Sequence, residues 1–233
     1  MPFFFLPDRY YILLVIPAML VALWAQMRVK SAFARYSAVG IRSGLTGAQA
    51  ARRILDANGL QNVQVVEIDG SLTDHYDPTQ RVVRLSRDVY GRSTVAAVGV
   101  AAHETGHAVQ HATGYAPLTL RNAIIPLTNI GSTISIPLVL LGFVMGIQSL
   151  VSFGILLFSL VTVFQLVTLP VEFNASRRAL ATLDAYNMVT PEEHDGVRSV
   201  LSAAALTYVA ALIVSLANLL RLILLFGGRR RDN

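Results

Sequence analysis

Apolar and polar residues fall along this chain in long blocks rather than short periods. Tyr10 to Met27 is a run of 18 residues without a charge, Asn122 to Val171 one of 50, and Ser199 to Leu220 one of 22. About 20 apolar residues of helix cross a bilayer's hydrocarbon core. The first and last runs therefore predict one spanning helix each. The middle run predicts two, joined by a tight turn near Met145–Leu150, where Gly146, Gln148 and Ser149 interrupt it. A signal peptide is the other reading of the first run, since Ser31–Ala34 offers small residues. No net positive charge precedes that run, however, and Arg28 and Lys30 follow it directly, the charge order of an uncleaved anchor.

The block between the first and second spans has local periods of its own. Leu45–Leu60 reads as a helix with Thr46 as N-cap and Gly59 as stop signal. Val63–Ile68 and Arg81–Ser86 are rich in β-branched residues and predict two strands joined by the loop Asp69–Gln80. Ser93–Gly114 predicts a long helix, capped by Ser93 or Thr94 and ended by Gly114. The expected organisation is an anchor over residues 1–27, a polar segment over 28–121 and a transmembrane hairpin over 122–171. A helix over 172–198 and a C-terminal span with a basic tail over 199–233 complete it.

Composition sharpens this picture. The chain has 233 residues, of which 54% are hydrophobic and 14% charged, against about 25% charged in an ordinary soluble domain. Its formal charge of +5 is carried by arginines flanking the apolar runs, which suits a bilayer as partner and not nucleic acid. There are 0 cysteines, so disulfides and thiolate metal sites are excluded.

The chemistry lies in His-Glu-Thr-Gly-His, His103 to His107. Residues four apart share one face of a helix, so His103 and His107 can present two imidazoles to a single metal ion. Glu104 flanks that face, where its carboxylate can reach a water on the metal, the role of the general base in zinc peptidases. Two imidazoles and a carboxylate following an apolar stretch need a partner, because burying them alone is costly. Gly106 lets another element pack close.

A catalytic zinc takes three protein ligands, and Glu172 is the candidate for the third. It ends the 50-residue uncharged run, which brings the chain back to the membrane side of His103, and an ionisable residue there is functional by default. The alternative is an interfacial carboxylate paired with Arg177 or Arg178. His111, one turn past His107, reads as a supporting or structural residue, because three imidazoles on successive turns do not converge on one ion. His75, in the loop before the second strand, could stabilise an oxyanion or hold substrate. A plain turn around Pro78 explains it equally well. His194 reads as part of a solvated helix start.

His103–His111, an uncharged hairpin and then "LPVEFNASRRAL" (Leu169–Leu180) together resemble the bacterial membrane zinc metallopeptidases of the YugP type. Ser43–Gly47 and Leu72–Pro78 are also similar to segments of that family. More remotely, the chain resembles the HtpX-like and Ste24-like gluzincins. The resemblance implies a mainly α membrane protein of four transmembrane helices with a small α+β, zincin-like metallopeptidase portion. It implies one Zn2+ per chain on His103, His107 and Glu172, with Glu104 as general base. One departure stands out: Ser176 lies where the remoter relatives place Asp.

Lysines and arginines near the span ends number eight on the motif side (Arg28, Lys30, Arg35, Arg42, Arg121, Arg177, Arg178 and Arg198). The other side has four, Arg9 and Arg229–Arg231. The motif is therefore expected at the cytoplasmic face, although Arg229, Arg230 and Arg231 run against that orientation. The expected activity is hydrolysis of peptide bonds in protein or peptide substrates. Catalytic roles fall to Glu104 and, for an oxyanion, to His75, Tyr76 or Arg177; the strand Arg81–Ser86 could bind substrate by strand addition. An intramembrane protease of the site-2 type is one alternative, although its downstream Asp-Gly ligand motif is missing after the apolar run. A non-catalytic membrane scaffold or chaperone is another, and a metal transporter ranks last because the hairpin offers no polar pathway.

Overall fold

The computed structural model describes residues 8–227, and the tail arginines Arg229, Arg230 and Arg231 lie outside the described residues. A π-helical turn, Tyr11–Val15, leads into α1 (Ile16–Ser37), followed by α2 (Gly47–Ala57), β1 (Gln64–Ile68), β2 (His75–Asp77) and β3 (Val82–Ser86). Then come α3 (Arg87–Tyr90), α4 (Val95–Ala112), α5 (Ala116–Met145), α6 (Gln148–Ala185) and α7 (Pro191–Phe226). Four helical stretches among the described residues are long and apolar enough to cross a membrane: Tyr11–Ser37, α5, α6 and α7. The protein is thus mainly helical, with one small sheet.

The chain forms two compact units, one of Gln26–Thr119 and Pro170–Leu206, the other of Met1–Ala25, Leu120–Leu169 and Thr207–Asn233. In the first, local chemistry sets the helix ends. Thr46 accepts from the Gln49 backbone N–H at 3.2 Å while the Gln49 side chain accepts from the Thr46 N–H at 3.0 Å, a reciprocal capping box. Gly59, past the end of α2, has φ +70°, the left-handed conformation a glycine adopts without strain. Thr94 caps α4 by accepting from Ala97 N–H at 3.3 Å.

The sheet corrects the expected two-strand unit. Its order is β1-β3-β2; β1 and β3 are parallel, and β2, inside the expected loop, pairs antiparallel to β3. β3 is therefore the middle strand, with both edges used, and cannot accept an added strand as Arg81–Ser86 was expected to do. The free edges belong to β1 and β2.

α4 is the centre of this unit. Ala97, Ala101 and Ala108 pack with Val83 and Leu85 of β3 and Ala51 and Leu55 of α2. Val95, Val98 and Ala102 pack with Ala179 and Leu183 of α6 and Val197 and Leu201 of α7. A helix covered on both sides must be apolar nearly all round, which explains the Val-Ala-Gly composition ahead of His103. Residues 172–198 do not form a helix of their own: α6 carries Glu172 onward to Ala185, and α7 begins at Pro191.

In the second unit, the turn expected near Met145–Leu150 is where α5 ends and α6 begins. Small residues let these two helices meet closely: a Cβ on Gly154 would lie 2.9 Å from Ser135 O, and one on Gly131 2.9 Å from Leu157 O. Such contacts replace the hydrophobic driving force that lipid does not supply. Inside it, Thr162 Oγ1 pairs with Ser215 Oγ at 2.8 Å. Arg221 Nε donates to Asp8 Oδ2 at 2.8 Å. Large apolar residues such as Leu13 (68% exposed) and Val144 (67%) face outward, a kind of surface that marks an interaction with membrane or protein.

Candidate metal centre

Two helices, α4 and α6, meet at His103, His107 and Glu172. Both histidines project from one face of α4, their ring centroids 4.8 Å apart and their planes at 84°. Glu172 comes from α6 and is 3% exposed. The approach depends on Gly106, since a Cβ there would lie 2.7 Å from Ala175 O on α6. A residue with a side chain would hold the two helices apart and Glu172 away from the imidazoles.

One Glu172 oxygen, Oε2, lies 3.3 Å from His103 Nε2 and 3.5 Å from His107 Nε2. One donor atom from each of the three residues falls within 4.8 Å of the other two. A tetrahedral zinc with ligands at about 2.0–2.1 Å keeps its donor atoms about 3.3 Å apart. The chemistry of the set, two imidazoles and a carboxylate, and its spacing both fit that ion.

The far side of each imidazole is also engaged. His107 Nδ1 lies 3.0 Å from Gln110 Oε1, and Gln110, fully buried, donates through Nε2 to Val171 O at 2.8 Å and Asn174 Oδ1 at 3.0 Å. Arg178 Nε donates to the same Asn174 oxygen at 2.8 Å. These donations fix the Gln110 amide, whose oxygen can only accept. His107 must therefore carry a proton on Nδ1, so Nε2, which faces Glu172, is the nitrogen that can give up its proton to a metal ion. His103 Nδ1 lies 3.2 Å from Ser176 Oγ. Ser176 thus supports a histidine of the site. Burial pulls the His107 pKa down, but the Glu172 hydrogen bond and the charges of Glu104 and Glu172 outweigh it and hold it above its ordinary value. The site favours positive charge.

Glu104 is buried on α4 beside His103, 9% exposed. Other expected residues are placed differently. His75 is on β2, exposed, with Nδ1 at 2.8 Å from Thr73 O. Arg177 is exposed on α6, and it is Arg178 that joins the network behind His107. His111 Nδ1 lies 2.9 Å from the Tyr76 hydroxyl, tying β2 to α4. Burial pushes the Tyr76 phenol up, against the pull of Arg81. Gln110 and Asn174 escape sequence reasoning; their only signal is spacing, three residues after His107 and two after Glu172.

A family model described as "Putative neutral zinc metallopeptidase" matches residues 11–227. The chain is 51% identical over 223 residues to a protein of Bacillus subtilis (strain 168) named "Putative membrane protease YugP", covering 96% of this chain and 99% of that one. No solved structure matches the chain.

Proposed function

The chain belongs to the neutral zinc metallopeptidase family, and we propose that it is a multi-pass membrane metalloendopeptidase cutting protein or peptide substrates near the cytoplasmic membrane face. The observation that carries this reading is the convergence of His103, His107 and Glu172 within 4.8 Å, with Glu104 alongside. His103 Nε2, His107 Nε2 and a Glu172 oxygen would hold the ion. A zinc there supplies a Lewis acid that lowers the pKa of water to about 7 and polarises a peptide carbonyl.

The chain's own residues do the rest. Glu104 takes the proton from the attacking water and returns it to the leaving amine nitrogen. Gln110 and Ser176 hold the imidazole orientations, as hydrogen-bonded partners of metal ligands do. An extended substrate pairs with the free edge of β2. The half-buried Tyr76 phenol, held by His111, stays protonated and serves as the donor to the carbonyl oxygen, in preference to exposed His75 and Arg177. Eight basic residues against five around the span ends, Arg221 counted with Arg9 and Arg229–Arg231, support the cytoplasmic orientation. Arg221, toward the far end of α7, is paired with Asp8.

Metal content by mass spectrometry on purified protein, together with cleavage of an unfolded protein such as casein, tests the reading. One zinc per chain is expected in the wild type and in Glu104→Gln, with hydrolysis lost in the variant. Zinc is expected to be lost in Glu172→Ala. Full hydrolysis by Glu104→Gln, or no zinc in the wild type after zinc addition, would overturn it.

A further inference from the structure

Within the unit that holds the candidate metal centre, α6 and α7 leave an open groove of about 280 Å3. Phe173 and Leu180 on α6 and Leu201 and Leu206 on α7 make its walls apolar, and Arg198 supplies its one cation. Phe173 is 44% exposed, so the wall is open to whatever surrounds the protein. Arg198 is exposed, and among the described residues no carboxylate pairs with its guanidinium. It lies immediately before the uncharged run Ser199–Leu220, the position at which a spanning helix meets phospholipid headgroups.

Size and chemistry together point to the occupant. A volume of about 280 Å3 is at the low end of small-ligand sites, roughly 300–1,000 Å3, and the walls are apolar, as a stretch of acyl chain requires. An apolar slot ending in an unpaired arginine at the level of the headgroups is complementary to one molecule with both features. We propose that the groove between α6 and α7 binds an anionic phospholipid, its phosphate on Arg198 and one acyl chain along Phe173, Leu180, Leu201 and Leu206.

The guanidinium meets phosphate oxygens with two parallel N–H donors. Ser176 lines the same groove while its hydroxyl lies 3.2 Å from His103 Nδ1. The bound chain is therefore one side chain away from the candidate metal centre. The binding itself does not depend on the peptidase reading.

The test uses the full chain in nanodiscs of phosphatidylcholine doped with phosphatidylglycerol of the same acyl chains, followed by native mass spectrometry of the lipid retained in detergent. The wild type is expected to keep one phosphatidylglycerol in preference to phosphatidylcholine. Arg198→Gln is expected to weaken that retention about five-fold, from the loss of one basic residue near a phosphate, with phosphatidylcholine unaffected. Ala205→Phe, which fills the groove, is expected to lose both lipids while keeping its melting temperature. Equal phosphatidylglycerol retention by Arg198→Gln would overturn the headgroup assignment, and unchanged retention by Ala205→Phe would remove the groove as the site. A photo-crosslinker at Leu206 is expected to label lipid; labelling of a polypeptide instead would overturn the proposal in favour of a substrate segment.

Discussion

Gly106 on α4 lies so close to Ala175 on α6 that a Cβ at position 106 would sit 2.7 Å from the Ala175 carbonyl oxygen. That contact brings the carboxylate of one helix to the imidazoles of the other. Gly106→Ala gains about 1 kcal/mol of helix propensity but forces a backbone apart, and overpacking costs about 1–3 kcal/mol. The overpacking wins because the atom in the way is a backbone oxygen that cannot rotate aside. We expect Gly106→Ala to melt lower and to bind zinc at least about tenfold more weakly, since displaced helices separate Glu172 from His103 and His107. Gly91, with nothing within 4 Å of its would-be Cβ, is the control: Gly91→Ala should change stability by less than about 0.5 kcal/mol. Equal zinc affinity in wild type and Gly106→Ala would show that the close approach does not set the site.

Gln110 is the joint between the metal face of α4 and α6. Its oxygen accepts from His107, and its amide donates to Val171 O and Asn174 Oδ1. Gln110→Leu removes all three bonds at similar volume and leaves a buried N–H and carbonyl unpaired. A cost of about 1–3 kcal/mol in stability follows, with zinc affinity falling about 10–100-fold. Gln110→Glu keeps the acceptor for His107 but faces two acceptors with a carboxylate, so it should be the less stable of the two while losing less zinc affinity. Thermal melting beside zinc competition against a chelator separates the two effects. If both variants lost affinity in proportion to stability alone, Gln110 would have only a packing role.

How far the sequence speaks depends on the range of the interaction. Thr46, Gly59, Thr94 and the α5–α6 turn are local signals, and each does in the structure what its chemistry predicts. β2 is three residues long, too short for an alternating pattern to stand out, and the parallel pairing of β1 with β3 is set by contacts that no local period encodes. The end of the uncharged run at Val171 marks where polar residues become tolerable, not where a helix stops. α6 continues because no stop signal intervenes before Asn187, which takes φ +48°. His103 and His107 stand out because an H-E-x-x-H spacing is rare, and Glu172 because it ends the 50-residue uncharged run. Gln110, Asn174 and Ser176 are common polar residues whose roles exist only once α4 and α6 are side by side.

Ser176 offers His103 Nδ1 a hydroxyl at 3.2 Å. A carboxylate accepts the imidazole N–H more strongly and raises the basicity of the ligating nitrogen. Ser176→Ala is expected to weaken zinc binding about tenfold, and Ser176→Asp to bind zinc more tightly than Ser176→Ala. Chelator competition across the three proteins checks the order. Identical affinity in all three would remove Ser176 as a support for His103.

Asp74 lies beyond the metal face, at the end of the sheet, where its Oδ1 accepts from Ser86 N–H at 2.7 Å and from Ser86 Oγ at 3.1 Å. Burial raises its pKa above the ordinary 3.8, more than the Ser86 hydrogen bonds lower it. The folded state therefore binds this proton more tightly than the unfolded chain does. The group's contribution to stability is fully present below pH 3.8 and is lost as pH rises through the folded pKa. Asp74→Asn keeps an oxygen for Ser86 N–H and has no charge to desolvate. It should melt at a higher temperature than wild type at neutral pH, and the gap should close as the pH is lowered toward 4, where Asp74 itself becomes neutral. Melting curves of both proteins across that range decide the matter. A gap that persists unchanged at acid pH would mean the gain comes from packing and not from removing a buried charge.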